Sequence, residues 1–488
     1  MFHKLFQRAA AHFIGKTSRS KVHLIRNVTN ICPTRCTRLL STQGNLAHYH
    51  RPVFNTQRIT TACNNVTVHA CLSGTSEKVD FKNQKNVVIQ NQAYQTDEWT
   101  NVSPKILSYL GKNLHLKKDH PLCLIKDSIV EHFYSKYMKS TRTPLFAVFD
   151  NFSPVVSTFQ NFDSMLVRKD HVSRAKSDNY YINESTLLRA HTSAHEHDLL
   201  KSGLDAFIVV GDVYRRDTID SSHFPVFHQI EGVRLFNKKQ LFAKSQDSYN
   251  ELKIFEDGSL YTDKQACHTL EASKLVEMNL KQTLEDLVCD LFGKDVVYRW
   301  VDAYFPFTHP SFEMEIFFGG EWMEMLGCGI LQQEILNTAG AKDSIGWAFG
   351  LGLERLAMRL FNIPDIRYFW CQEDAFLSQF RGCKNIKDIN FKPMLSNQPP
   401  VVNDMSFWVP DEFCSNDFYD LVRSLDTGII ESVILKDSFV HPKTNKSSHC
   451  YSIFYRHTSR PLTKTEVNVL HNDIQTAVVT QLNVVGRW

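Results

Sequence analysis

The segment Phe227-His228-Gln229-Ile230-Glu231-Gly232 alternates like a strand, yet it carries an amide and a carboxylate beside its apolar residues. Side chains on a strand point alternately to opposite faces, so Phe227, Gln229 and Glu231 share one face while His228 and Ile230 share the other. An aromatic ring, an amide and an acid in a row make a ligand floor rather than a core. Just upstream, an apolar strand ends in Tyr214-Arg215-Arg216-Asp217, and the polar loop between the two strands predicts a hairpin. That pairing carries Arg215 over the same floor. A guanidinium beside a carboxylate and an amide suits a phosphate or carboxylate ligand. Taken alone, the arginine pair is explained equally well by a salt bridge at a hairpin end.

A second segment, Gly346 to Arg367, runs from strand-like residues into a helix that starts near Leu353 and stops before Pro364. Gly350 and Gly352 would let another group approach the backbone. Arg355 falls in the first helical turn, where the helix dipole disfavours a cation, so it needs an anionic partner such as a nucleotide. Without the glycines, a surface arginine on a core helix would account for it. Phe305 and Phe307 alternate onto one strand face, where two rings serve either a core or an aromatic ligand. No phosphate loop of the Gly-x4-Gly-Lys-Ser/Thr type is present.

The elements that must hold these residues follow from the apolar pattern. His120 to Met138 spaces Leu124, Ile125, Ile129 and Phe133 as an amphipathic helix, with Pro121 in its first turn. Alternating segments recur from Pro144 to Phe318, and a helix is predicted at 265–292. Strands joined by short loops favour an antiparallel sheet flanked by helices. Ordered structure is expected to begin near Ser103. A polar stretch ending in Pro399-Pro400 marks a linker, after which the order strand, helix, strand, strand, helix, strand over 402–487 is that of a ferredoxin-like βαββαβ domain. The fold class is therefore α+β. The expected divisions are a leader and disordered extension at 1–78, a main domain at 79–385, a linker at 386–398 and the last domain at 399–488.

The 488 residues carry a formal charge of +3, but ten Lys or Arg and no acid lie between Met1 and Ser76. Phe2, Phe6, Ala9 and Phe13 line one helical face of that leader with Lys4 and Arg8 opposite, as in a mitochondrial presequence. A basic tail that touches RNA is the alternative. The twelve cysteines form no Cys-x-x-Cys pair, which reads as reduced thiols without a zinc site. No apolar run is long enough for a membrane span. Six Lys or Arg against one acid lie between Lys436 and Lys464. Lys443, Lys446, Arg456 and Arg460 in that part are candidates for phosphate contacts, with Tyr451, Phe454 and Tyr455 as stacking partners for bases.

The hairpin and the Gly-rich segment resemble motifs 2 and 3 of class II aminoacyl-tRNA synthetases. Together with His191-Thr192-Ser193-Ala194-His195, Tyr304 to Ile316 and Glu324 to Gly329, they resemble the catalytic segments of phenylalanyl-tRNA synthetase. The last domain resembles the anticodon-binding domain of its single-chain mitochondrial form, and the likeness covers about 104–488. It implies an antiparallel catalytic sheet, ATP and Mg2+ as cofactors, phenylalanine and tRNA(Phe) as partners, a monomer, and the mitochondrial matrix as location. It leaves no stretch for a separate editing domain.

Residue roles follow from the same resemblance. Arg215, Arg355 and Glu231 would be catalytic, Arg215 at the α-phosphate. Phe227 and Arg355 would sandwich adenine, Glu324 would hold ribose or a magnesium ion, and Gly350 and Gly352 would line the nucleotide. Ser221 and His223 would meet ATP phosphates or the tRNA end. His228 is grouped with the ATP residues, although its face of the strand marks it as structural. The amino acid would be held by His191, Thr192, Ser193, Ala194 and His195, with Ser193, Gln229 and Glu231 on its ammonium and His191 near its carboxylate. Phe305 and Phe307 would meet the substrate ring. Ala348 would leave room at the pocket end, limiting the rejection of tyrosine to about a hundredfold.

Overall fold

A computed structural model describes residues 85–243, 250–383, 385–389, 391–393 and 399–488. The presequence and the extension expected at 1–78 lie outside the described residues, as do Asn390 and 394–398 of the expected linker. Structure begins before Ser103, with a hairpin of β1 (Asn86–Ile89) and β2 (Gln92–Gln95). Its two turn residues, Gln90 and Asn91, have φ of 49° and 66°, the pair of positive values that a two-residue turn needs to match the strand twist. Val87 and Ile89 then point inward against Val102, Ile106 and Tyr180.

Helix α1 (Pro121–Lys136) agrees with the predicted amphipathic segment. Pro121 opens it, and the His120 ring caps it by accepting from the Leu122 amide at 3.2 Å. Ile125, Ile129 and Phe133 are fully buried on its inner face, each contributing about 1.5–3 kcal/mol. After β3 (Ala147–Phe149) comes a small sheet of β4 (Val155–Ser157), β5 (Tyr181–Asn183) and β6 (Thr186–Leu188). Helix α2 (Glu196–Lys201) leads into the hairpin of β7 (Ala206–Tyr214) and β8 (Val226–Phe236).

Helix α3 (Leu270–Phe292) starts later than 265. Gln265 is held outside it: its amide donates to the Leu331 carbonyl at 2.9 Å and accepts from the Gln333 amide at 2.8 Å. Thr269 then caps the helix. The chain continues through β9 (Tyr298–Phe305), β10 (Thr308–Phe318), β11 (Glu321–Leu331), β12 (Ile345–Gly352) and helix α4 (Leu353–Leu360).

The seven-stranded sheet has the order β3-β7-β8-β12-β11-β10-β9. Every pairing in it is antiparallel except that of edge strand β3 with β7, which is parallel. The long crossover between these two strands permits what a short hairpin forbids. Helices α1, α3 and α4 bury one face of the sheet in the largest core.

The C-terminal part has a sheet of its own and runs β13 (Val401–Val409), α5 (Ser415–Leu425), β14 (Ile430–Val440), β15 (Ser447–Tyr455), α6 (Lys464–Leu482) and β16 (Val485–Gly486). Its sheet order β14-β15-β13-β16 is the expected ferredoxin-like arrangement. The last strand is shorter than predicted because α6 runs on to Leu482 before Asn483, at φ 52°, stops it. The domain packs on the main one through polar contacts. Arg216 pairs with Asp417 at 2.6 Å and with Asp420, while Arg423 donates to the carbonyls of Asp217 and Thr218. Among the described residues no helix is long and apolar enough to cross a membrane.

Candidate active site

The register of four strands explains why a polar floor survives in the middle of a sheet. On β8, Phe227, Gln229 and Glu231 face the same side, and the residues opposite Gln229 and Glu231 on β12 are Gly352 and Gly350. A Cβ at either glycine would meet nothing within 4 Å, so the space above them is open. Gly350 in turn lies opposite Gly327 of β11. A Cβ on Gly327 would come within 2.8 Å of the Phe305 ring, so glycine there lets that ring lie against the backbone. The result is a trough of two cavities that share Gln229 and Gly350.

One end is lined by Ser193, Glu196, Glu231, Phe305, Phe307 and Ala348, among others. Ser193 donates to Glu231 Oε2 at 2.5 Å and Thr192 to the same oxygen at 3.1 Å. The Thr192 amide donates to Gln229 Oε1 at 3.3 Å, which fixes the amide's orientation. His191 lines the cavity, and its Nε2 lies 3.0 Å from the Asn161 carbonyl, so that nitrogen carries the hydrogen. Burial, with Arg215 nearby, pushes the His191 ring down to about 3 and keeps it neutral. Its buried Nδ1 has no hydrogen-bond partner among the described residues and can only accept.

The other end is lined by Arg215, Ser222, Phe224, Phe227, Glu324 and Arg355, with Glu354 and the open glycines. Arg215 donates through Nε to the Ala190 carbonyl at 2.7 Å, and its guanidinium lies 5.2 Å from the Phe227 ring centre. Burial lowers it to about 10, which leaves it a cation at neutral pH. Arg355 finds the partner its place in the helix demands: Nη1 donates to the Glu324 carbonyl at 2.7 Å and lies 3.7 Å from the Glu324 carboxylate.

Several predicted residues lie elsewhere. His228 is fully buried on the opposite face, where its Nδ1 meets Glu354 Oε1 at 2.7 Å and its backbone amide donates to Oε2 at 2.8 Å. It lines neither cavity, because strand alternation turns it away. Thr192, Ala194 and His195 also fall outside the lining: Thr192 supports Glu231, Ala194 is core, and His195 takes up Arg189 at 2.8 Å and stacks on Phe152. In the hairpin loop, Ser222 rather than Ser221 reaches the cavity. His223 is held by Asp220 at 2.6 Å and faces the cleft beside Arg423. Phe307 lies in the turn after β9 rather than along the strand, yet its ring still lies nearly parallel to that of Phe305 at 5.8 Å.

The basic residues of the last domain do not gather into one patch. Lys443 and Lys446 sit exposed at the turn between β14 and β15, Arg456 lies 3.4 Å from Glu431 near the domain contact, and Arg460 pairs with Glu466 at 2.5 Å. Tyr451 and Tyr455 are core residues at 0% and 1% exposure, because both sit on the inward face of β15, so neither is a stacking platform. Sequence reasoning missed Glu196, Ser222, Phe224 and Glu354. Glu354 had a signal, since it stands beside Arg355 at the start of a helix whose apolar face is buried.

The described cysteines are free. A sheet of this topology, with an arginine on its hairpin and another on the helix after a Gly-rich strand, defines the class II aminoacyl-tRNA synthetase core. A family model described as the class II core domain (F) of tRNA synthetases matches residues 107–246 and 266–380, and the ferredoxin-fold anticodon binding domain matches 396–487. "Phenylalanine--tRNA ligase, mitochondrial" of Mus musculus is 56% identical, the alignment covering 82% of this chain and 88% of the mouse protein. The protein of the same name from Rattus norvegicus is 54% identical over 81% of this chain and 88% of its own. "Probable phenylalanine--tRNA ligase, mitochondrial" of Drosophila melanogaster is 51% identical, with 81% and 91% covered. The chain belongs to the phenylalanine--tRNA ligase family of class II synthetases.

Proposed function

We propose that the protein joins phenylalanine to tRNA(Phe) in two steps carried out in this trough. A carboxylate oxygen of phenylalanine attacks the α-phosphorus of ATP, the bond to the β-phosphate breaks, and pyrophosphate leaves. A hydroxyl of the terminal tRNA ribose then attacks the acyl carbon of phenylalanyl-adenylate, and AMP leaves. The supporting observation is the trough itself: an acid and two stacked rings at one end, two arginines and an aromatic ring at the other, meeting at Gln229 and Gly350.

In this reading Glu231, steadied by Ser193 and Thr192, takes the ammonium, and Gln229 holds the group between the two ends. His191 supports the ammonium through its Nδ1. Phe305 and Phe307 enclose the ring, and Ala348 sets the depth of the pocket. Arg215 sits where negative charge develops on the α-phosphate, and a cation held there in advance acts without reorganising during the reaction. Phe227 and Arg355 hold the adenine, and the open backbone at Gly350 and Gly352 admits the nucleotide.

Class II synthetases use ATP and Mg2+. Among the described residues no group of three or more His, Cys, Asp or Glu side chains could hold a metal. Magnesium bound by one carboxylate and substrate phosphates needs no such group, and Glu324 fits that part. The ion would neutralise charge on the phosphates.

The last domain would read the tRNA, with Lys443 and Lys446 free to reach phosphates. The expected divisions at 78, 385 and 398, a monomeric state and a matrix location belong to the same proposal, the last supported by the acid-free leader and by relatives named mitochondrial. ATP-pyrophosphate exchange with each amino acid in turn tests the reading. Exchange that depends on phenylalanine is expected; exchange driven by another amino acid, or by none, would refute it.

A further inference from the structure

The amino-acid end holds an acid that the roles above leave unused. Glu196 opens α2, lines the cavity beside Glu231, and is 1% exposed against 4% for Glu231. No N–H or O–H donor among the described residues reaches either of its carboxylate oxygens, nor Glu231 Oε1. Three of the four carboxylate oxygens of this buried pair thus face one cavity without a hydrogen-bond partner among those residues, and each acid lies near enough to affect the other's protonation. Two ionised carboxylates buried in one cavity repel each other and lack water to solvate them, which favours a proton on one of them. No lysine or arginine forms an ion pair with either acid among the described residues.

We propose that Glu196 and Glu231 hold one proton between them in the free enzyme, and that the ammonium group of the amino acid takes its place, so that binding releases a proton to solvent. The O–H of the Glu196 carboxylic acid breaks, its electron pair stays on the carboxylate, and the proton leaves to water. The pocket then faces the ammonium with two negative charges in place of one. No covalent bond to the substrate forms at this stage. The inference rests on the phenylalanine reading of this cavity.

The surroundings favour a shared proton. Desolvation and the facing acid drive the Glu196 carboxyl well above its ordinary range, and burial raises Glu231 as well. The other titratable groups near the pair come from the same segment and from the sheet. His191 and His195 are both pushed to about 3 by burial and stay neutral. His197, on α2, lies 3.9 Å from Asp198. Cys328 of β11 is a buried thiol driven up from its ordinary value. The cations on this face, Arg215 just after β7 and Arg355 of α4, lie at the other end of the trough. Glu334, on the short helix 333–338 packed against α2, points to solvent.

The sign follows from linkage. A bound ammonium stabilises the doubly ionised pair, so the pair loses its proton more easily in the complex than in the free enzyme. Binding therefore strengthens as pH rises between those two values. The limit is about tenfold in Kd per pH unit for one proton.

Isothermal titration of the full chain with phenylalanine, in phosphate and in Tris at about pH 6 to 7.5, below the α-amino range, reads the released proton directly. Heats that differ between the buffers as proton release requires, together with a Kd that falls as pH rises, are the expected result. In Glu196→Gln the buffer difference and the pH slope should vanish while phenylalanine still binds, because an amide donates to Glu231 without giving up a proton. Phenylpropionate, which lacks the ammonium, should release none from the wild type. Equal heats in both buffers for the wild type would overturn the proposal even if the variant fails to fold. A slope that survives in a folded Glu196→Gln protein would overturn it too. If phenylalanine produces no saturable heat at any pH, the reading of the cavity fails first, and this inference with it.

Discussion

The two faces of β8 are equally hidden from water and differ in what meets them. His228 is 0% exposed, Gln229 5% and Glu231 4%. On the His228 side, β12 presents Trp347, Phe349 and Leu351, and Glu354 takes both the ring and the amide of His228. On the Gln229 side, the same strand presents Ala348, Gly350 and Gly352. The strand β12 thus carries its bulk on one face and almost nothing on the other. Burial alone does not separate a structural polar residue from a binding one. What separates them is whether the neighbouring strands supply atoms to fill the space.

The comparison can be tested by changing one face at a time. On the open face, Arg215→Ala should lower phenylalanine-dependent pyrophosphate exchange by about 10²–10³-fold, with the melting temperature little changed. Retained exchange would remove Arg215 from the chemistry. Gly350→Val places side-chain atoms in the open trough, with a Cβ that meets no neighbour within 4 Å. It should raise KM for both substrates and lower kcat/KM by about a hundredfold, while thermal unfolding stays near wild type. On the closed face the order reverses. Glu354→Gln weakens a charge-assisted clamp and should cost about 1.5–3 kcal/mol of stability, seen in chemical denaturation, with a milder effect on exchange that falls mainly on KM for ATP. An unchanged denaturation midpoint would mean that the two faces are not distinguished as described. The smallest effect is expected far from both: Lys443→Ala with Lys446→Ala should weaken tRNA binding modestly and reduce its salt slope by about 2, leaving pyrophosphate exchange untouched.

Much of the open face was legible because strand alternation is a strict rule. Phe227, Gln229 and Glu231 could be assigned to one side, and His228 to the other, from their spacing alone. The βαββαβ order of the last domain was legible for the same reason. What escaped was whatever depends on contact between segments distant in sequence. Glu196 becomes a pocket residue only when α2 lies against β8, and Glu354 a clamp only when α4 meets His228. Arg456 and Arg460 read as free charges until Glu431 and Glu466 are brought beside them by the fold. The hairpin at 86–95 is not legible in the sequence because its turn, Gln90-Asn91, lacks the glycine that usually announces one.

The open backbone at Gly350 and Gly352 also sets a direction for change. Glycine is already the smallest residue, so every replacement at these positions adds atoms and none removes them. Mutation can therefore shrink this part of the site but never enlarge it. Any lineage that widens its range of accepted substrates must do so through the walls, at positions such as Ala348, Phe305 or Phe307, while the floor stays fixed.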